Sequence, residues 1–426
     1  MRAAPAPVPD AENGYFVHYG LGVAAGKDPH AHGVSFVTAN NAWMQSVDAG
    51  QPADRSNVDA MAKQNEAVSW RGVTKDLCGE ERVDCFSVYV KNRSQVEKLV
   101  RDNQLRLTRY RSLYRYKYYR DVSLNRVSLN WLPNFAGAEH ETVLAQIALK
   151  AVDGNLDGAV RDLVTDTAYW RRVLAGASTV VSKSLAANFL SRNYALASEI
   201  TTRYRDRPRF TTTLAEMVQP LTSEESSWES AFMGEFQWVA YLSSSLRNHK
   251  GEYGFFTEKN QLWDRMISTV LYKPNATVNL QYRYFEKLSQ LADTPAYAFP
   301  DVLRRVDADY NDMANPFRAD IVYNPAGKIL VAIGAVSPSG YVRYVARTHN
   351  LEGAMRLLRL QLGIYSKKVA VKDVGTFVEK SPAELLDPYT NKPFRWDLSK
   401  REFWFEGINP KSENNATTEQ RIWVRI

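Results

Sequence analysis

The chain has 426 residues, of which 45% are hydrophobic and 24% are charged. A chain of this length is larger than one hydrophobic core typically supports, so two or three domains are expected. The composition excludes an intrinsically disordered protein. The net charge of +7 weakly favours acidic partners such as nucleic acid, anionic lipid headgroups or an acidic protein surface, but it is small against 54 basic residues, and solubility alone could explain it. No stretch reaches the ~18 apolar residues that a membrane span requires.

The chain begins with MRAAPAPVPDAENGY, a Pro-rich and Ala-rich stretch that predicts a linker. A linker in this position suggests that an upstream signal peptide or membrane anchor is missing, and a flexible native start is the alternative. In the rest of residues 1–93, scattered Gly and small residues without a helical stripe favour short strands and loops, and the stretch DPHAHGVSFVTANNAWM is predicted to open a helix or turn.

The chain contains two cysteines, Cys78 and Cys85, which are close together in the polar stretch DLCGEERVDCF. Their spacing excludes a CxxC redox motif, and no nearby His or further Cys completes a metal site. A local disulfide is the favoured interpretation and implies an oxidising compartment, whereas two free thiols would fit a cytosolic protein.

From Ser94, large side chains recur at steps mostly of three and four, which predicts one face of a helix. These side chains are Leu99, Leu107, Tyr110, Tyr114 and Tyr118. Basic residues flank them, namely Arg109, Arg111, Arg115 and Lys117. Tyrosines interleaved with cations could stack nucleobases. The favoured alternative places the rings in a core with the cations over them or extending into solvent.

The stretch ALKAVDGNLDGAVRDL predicts a helical hairpin, with Gly154 in its turn and small residues where the helices approach. It resembles a tetratricopeptide-type hairpin, although no 34-residue period follows. A further helix is predicted to begin near Thr165 and Asp166, and another to run from about Thr179 to Tyr204. Residues 205–315 continue as mostly helical.

The acidic residues near position 229 form the best carboxylate cluster: Glu224, Glu225, Glu229 and Glu235. Glu225 and Glu229 would lie one helical turn apart on a shared face, where two carboxylates could act as acid and base in a glycosidase-like hydrolase. The alternative is that they are first-turn residues that stabilise the start of a helix.

Near the end of the chain, Leu351, Met355, Leu358 and Leu362 predict an amphipathic helix. The segments ELLDPYTNKPFRW and REFWFEG follow it, and they predict a β-hairpin whose Phe394, Trp396, Phe403 and Phe405 pack against that helix.

This tail resembles the C-terminal half of secretion pseudopilins, in which a helix leads through a turn to a short hairpin. The matching residues are Asp387, Pro388, Tyr389, Asn391, Lys392, Pro393, Phe394 and Arg395. The whole layout is similar to uncharacterised proteobacterial envelope proteins, which have an N-terminal anchor, a helical middle and such a tail. This similarity implies the periplasm or envelope of a Gram-negative bacterium and brings no activity with it.

Together these features predict a predominantly α-helical α+β protein. A helical-hairpin stack would carry small β elements at the N-terminus and a helix plus β-hairpin at the C-terminus. The predicted domains are residues 1–93, 94–314 and 315–426. The favoured function is a non-enzymatic periplasmic scaffold or binding protein for an envelope protein or polymer, with no cofactor or metal. The alternatives are a hydrolase using Glu225 and Glu229, and a nucleic-acid-binding protein. Any membrane attachment would come through an anchor upstream.

Overall fold

The computed structural model describes residues 7–48, 54–74, 77–78, 84–122, 136–207, 209–245, 271–314, 323–334, 338–408 and 419–426. In these residues the predicted α+β fold with mostly helical content is confirmed. The first ten helices are α1 (Tyr15–His18), α2 (Pro29–Asp48), α3 (Ser56–Gln64), α4 (Cys85–Lys91), α5 (Arg93–Asp102), α6 (Gln104–Ser112), α7 (Gly137–Val152), α8 (Leu156–Gly176), α9 (Val180–Arg203) and α10 (Arg209–Met217). They are followed by α11 (Ser223–Ser226), α12 (Glu229–Ser245), α13 (Pro274–Ala292), α14 (Phe299–Ala314), α15 (Pro325–Gly334), α16 (Pro338–Ser366) and α17 (Val374–Glu379).

The chain ends in an antiparallel sheet of order β1-β2-β3. Its strands are β1 (Arg395–Asp397), β2 (Glu402–Ile408) and β3 (Glu419–Arg425). The predicted hairpin is therefore present as β1 and β2, with Trp396 opposite Phe403. Sequence reasoning missed β3, in which Val424 lies opposite Phe403.

The described part of residues 1–93 contains helices α1–α4 joined by turns, where the sequence predicted short strands and loops, and α2 lies where a helix or turn was predicted. All four residues of α1 are buried, so this helix has no polar face and lacks the period that reveals an amphipathic helix. Two of the glycines that suggested loops are points of close backbone approach, since an added Cβ would lie 2.0 Å from the Pro29 carbonyl oxygen at Gly20 and 1.9 Å from the Phe16 carbonyl oxygen at Gly33. The segment contributes an isolated bridge between Asn13 and Tyr118. The first six residues of the predicted linker lie outside the described residues.

The long helix predicted from Ser94 is divided into α5 and α6 at Asn103. The side-chain oxygen of Asn103 accepts a hydrogen bond from the Arg71 amide at 2.7 Å, and its Nδ2 donates to the Arg71 carbonyl at 2.8 Å. These two bonds fix the break to the segment before α4. Such a tertiary contact leaves no trace in the apolar spacing of the helix itself.

Helices α7, α8 and α9 confirm the predicted helical stack. Gly154, with φ of +91°, makes the turn between α7 and α8. The helices predicted on either side of Thr165 form one continuous helix, α8. Thr165 resembles a cap in the sequence, but its hydroxyl donates to the Arg161 carbonyl one turn earlier at 2.8 Å.

Hydrophobic clusters in the described residues show how these elements are held together. The first joins α1–α10 with one face of α16, so a common core crosses the predicted boundary at residues 93 and 94. The second is built mainly from α12, α13 and α14. The third joins α16 and α17 to the sheet. Among the described helices, none is long and apolar enough to cross a membrane.

The tail packs on α16 as predicted, but through a different face of that helix. Phe403 and Phe405 belong to the third cluster, whose α16 members are Ala354, Leu357, Leu360 and Ile364. The predicted stripe of Leu351, Met355, Leu358 and Leu362 instead belongs to the first core. Helix α16 lies between two cores and is apolar on both faces, so its sequence spacing did not determine which face meets the sheet.

Candidate binding groove

A surface groove of about 830 Å³ is lined by α5, α6, α7, α8 and the turn that follows α6. Helix α7 packs against both α5 and α8 and contributes the middle of the lining. The apolar lining includes Val96, Val100, Val143 and Ile147. The polar lining includes Arg93, Glu97, Arg101, Arg111, Tyr114, Gln146, Lys150, Asp162 and Thr165.

The cations of the groove are neutralised unevenly. Arg93 pairs with Asp153 at 2.6 Å and with Glu97 at 3.6 Å, and Lys150 pairs with Asp162 at 2.8 Å. Arg111 donates to the uncharged side chain of Gln146.

Arg101 has no ion pair within the described residues, because the adjacent Asp102 pairs with Lys98. The lining contains four cations and three carboxylates, and two of those carboxylates pair with Arg93, which leaves Arg101 and Arg111 without a carboxylate partner in the part of the chain that the structure describes.

A buried polar network lies directly beneath the groove and is joined to it by Tyr114. The Tyr114 hydroxyl donates to Asp166 Oδ1 at 2.8 Å, and the Tyr110 hydroxyl donates to the same oxygen at 2.6 Å. Asn193 donates from Nδ2 to Asp166 Oδ2 at 2.8 Å. Asp166 is completely buried on α8, so it has exchanged its water shell for these donors.

The network keeps Asp166 charged in the interior. Burial raises the pKa of this carboxyl, but the nearby His140 and the hydrogen bonds from His140, Tyr110 and Asn193 lower the pKa by more. The net pKa of Asp166 lies below its usual range. Burial and the adjacent Asp166 charge raise the pKa values of Tyr110 and Tyr114 well above the usual tyrosine range, so both hydroxyls remain donors.

His140 extends the network to α7. Its Nε2 lies 2.9 Å from Asn193 Oδ1 and 3.3 Å from Asp166 Oδ2, and its ring stacks on Phe189 with centroids 4.3 Å apart. The network thus connects α6 and its following turn, α7, α8 and α9 through buried hydrogen bonds. Three of these helices line the groove, so the network fixes the shape of the groove.

The carboxylates predicted for a hydrolase are not brought together on one helix. Glu225 belongs to α11 and Glu229 begins α12, because the chain is extended at Ser227 between them. The Glu225 carboxylate accepts hydrogen bonds from Arg171 Nε at 2.7 Å and from the Thr222 amide at 2.7 Å. This ion pair and capping box assign Glu225 a structural role, which is the alternative that the sequence offered.

The stripe predicted for nucleic-acid stacking is divided, since Arg109 and Tyr110 face inward whereas Arg111, Arg115 and Lys117 are exposed. Tyr110 is fully buried, and its hydroxyl belongs to the network. Arg109 is also buried and donates to the backbone carbonyls of Leu21 at 3.0 Å and Ala24 at 2.8 Å. These side chains support the core, whereas Arg111 alone of the four flanking cations lines the groove.

Cys78 and Cys85 form the predicted disulfide. Residues 79–83 between them lie outside the described part of the chain. The Glu199 carboxylate accepts hydrogen bonds from the Cys85 amide at 3.1 Å and the Phe86 amide at 2.8 Å. Burial raises the pKa of Glu199 to about 7. The disulfide and Glu199 together hold the start of α4 against α9.

Removing the disulfide should destabilise the protein moderately. We expect a Cys78→Ser and Cys85→Ser double variant to lose ~2–3 kcal/mol of unfolding free energy, because the unfolded chain regains the freedom of the closed loop. Denaturant unfolding with and without a reductant tests this. Reductant should destabilise the native protein and leave the double variant unchanged. Two alkylated thiols in unreduced protein from its own compartment would contradict the prediction.

Sequence reasoning missed both the groove and the network. An available signal was Asp166 itself, which shares its helix face with Leu163, Trp170 and Val173, all of them buried. A charged residue on an otherwise apolar stripe is a mark of a buried polar site. The partners of Asp166 come from other helices and could not be identified from spacing.

Comparisons with models of protein families, with curated proteins and with solved structures each found no match to this chain. The resemblances to pseudopilins, to envelope proteins and to tetratricopeptide hairpins therefore stay predictions. In the part of the chain that the structure describes, no group of three or more His, Cys, Asp or Glu side chains could hold a metal ion. The described residues thus form a helical α+β protein with a surface groove lined by four helices.

Proposed function

We propose that this protein is a non-enzymatic helical scaffold of the Gram-negative cell envelope, and that it binds a partner protein in the groove between α5, α6, α7 and α8. The observation that carries the proposal is the groove itself, with its apolar floor, its charged sides and the buried network that fixes its shape. In the apolar lining Val100 is partly exposed, with charged side chains around it, and an apolar contact inside a polar rim is typical of protein interaction sites.

The disulfide supports the compartment. A bridge between Cys78 and Cys85 forms and persists in oxidising environments such as the bacterial periplasm. The use of Glu225 supports a non-catalytic role, because a general acid or base must be available to a substrate and this carboxylate is engaged by Arg171.

Photo-crosslinking in living cells tests the proposal. A photoreactive amino acid at Glu97 lies in the groove lining, whereas one at the neighbouring Lys98 lies outside it, and both side chains are largely exposed. We expect a discrete protein adduct from position 97 and a much weaker adduct from position 98. The adduct should disappear when Val100→Arg fills the groove.

Binding measurements with the purified partner provide the quantitative test. Its dissociation constant should rise roughly tenfold or more with Val100→Arg, which corresponds to about 1.4 kcal/mol. Equal crosslinking from positions 97 and 98 would overturn the proposal, as would unchanged affinity for a folded Val100→Arg protein. If the adduct contained an envelope polymer and no protein, the ligand of the groove would be that polymer, and the proposed protein partner would be wrong.

A further inference from the structure

We infer that the groove accepts an amphipathic α-helix of the partner, and that acidic side chains on this helix pair with Arg101 and Arg111. The inference rests on the binding function proposed above and specifies the chemistry of the bound segment. It joins two observations, the helical walls of the groove and the uneven neutralisation of its cations.

The helical walls favour a helical ligand over an extended one. The backbone N–H and C=O groups of α5, α7 and α8 are used within those helices, so the groove offers no strand edge on which an extended peptide could pair. A helix satisfies its own backbone and presents side chains alone. The lining of α5 runs from Arg93 to Arg101, and eight steps of 1.5 Å give about 12 Å, or two helical turns.

The floor of the groove calls for an apolar stripe on that helix. Val96, Val143 and Ile147 are already almost completely buried, and Val100 is partly exposed. The partly exposed Val100 is therefore the main apolar contact that this floor offers to a bound side chain. Apolar residues at i, i+3, i+4 and i+7 would reach it over two turns.

The charges specify acidic residues at one end of the groove. Arg93 pairs with both Asp153 and Glu97, so the end of the groove where α5 begins carries one more carboxylate than cations. Lys150 is likewise neutralised by Asp162. Arg101 lies at the other end of α5, and Arg111 is bonded there to an uncharged amide. Carboxylates of a ligand would complete the pairing that the protein leaves open.

Selection from a random peptide library tests the inference without knowledge of the partner. A phage-displayed library of peptides about 16 residues long, enough for four turns, is selected on the wild-type protein. Peptides that also bind Val100→Arg are removed. Thr165→Arg, on the opposite wall of the groove, provides a second blocked variant, and thermal unfolding verifies that both variants are folded.

The expected peptides carry apolar residues at helical spacing together with Glu or Asp, and become helical on binding. Their dissociation constants should rise roughly tenfold with Arg101→Glu and less than about twofold with Lys98→Glu. Lys98 is the matched control, because it is an exposed cation on the same helix outside the groove. Long-range attraction would respond to both charge reversals equally.

Several outcomes would overturn the inference. They are no enrichment over the blocked variants, enriched peptides with alternating or basic patterns, and equal effects of the Arg101 and Lys98 reversals. A bound lipid detected by native mass spectrometry, and absent from Val100→Arg, would also overturn it. If crosslinking from position 97 succeeds while the selected peptides are extended, the proposed function stands and the helical ligand is wrong.

Discussion

Replacing Asp166 by alanine should lower the unfolding free energy by ~3–5 kcal/mol, the range found when one member of a buried charged network is removed. The carboxylate accepts hydrogen bonds from Tyr110, Tyr114 and Asn193 and lies beside His140. Without it, these donors remain in the interior with no acceptor. Each unsatisfied buried group costs about 1–3 kcal/mol, and relaxation of the side chains recovers part of the sum.

The control for this variant is Asp162→Ala on the same helix. Asp162 forms an ion pair with Lys150, but its side chain is 52% exposed, so its loss should cost less than ~1 kcal/mol. Chemical denaturation of both variants gives the comparison. If Asp166→Ala matched Asp162→Ala, the network would not be stabilising. Asp166→Ala should also weaken ligand binding, since it releases Tyr114 from its fixed position in the groove.

The parts of the fold that could be predicted are those in which local sequence decides the structure. Gly154 marks the α7–α8 turn because the turn needs a positive φ, which glycine adopts without strain. Cys78 and Cys85 have no other cysteine to pair with. In the tail, the buried Phe403 and Phe405 lie two residues apart with the partly buried Trp404 between them, which is the period of a half-buried strand.

The parts that could not be predicted depend on contacts between distant segments. The sequence from Thr222 to Ser245 is compatible with one continuous helix. In the structure the helix is interrupted at Ser227 and Trp228, before α12 begins. The indole of Trp228 is fully buried and donates to Thr348 on α16 at 3.1 Å. Burial of this ring gives a reason for the break, and the break removes the shared helix face on which the Glu225 and Glu229 hypothesis depended. The groove is likewise a product of four helices, and no single segment carries its pattern.

A second large loss of stability is expected from a substitution at Phe403, in the C-terminal tail. The sequence predicts that Trp396 and Phe403 are buried equally on one face of the hairpin, but the structure shows that they differ in burial. Phe403 is completely buried in the cluster formed by α16, α17 and the sheet. Trp396 pairs with it across β1 and β2 and remains partly exposed at the margin of that cluster. Phe403→Ala should therefore cost ~3–5 kcal/mol through lost contacts and an unfilled cavity.

Trp396→Ala should cost only about 1–2 kcal/mol, because part of the indole stays in solvent and neighbouring groups can close over the gap. Thermal and denaturant unfolding of the two variants measures the difference at positions that face each other in the sheet. A larger loss for Trp396→Ala would show that the hairpin depends on its first strand, and that the burial order is wrong. If Trp396→Ala instead left unfolding unchanged and abolished partner binding, the margin of the sheet would be a second binding surface. The ranking follows from burial, since a truncated side chain costs in proportion to the contacts that its neighbours cannot replace.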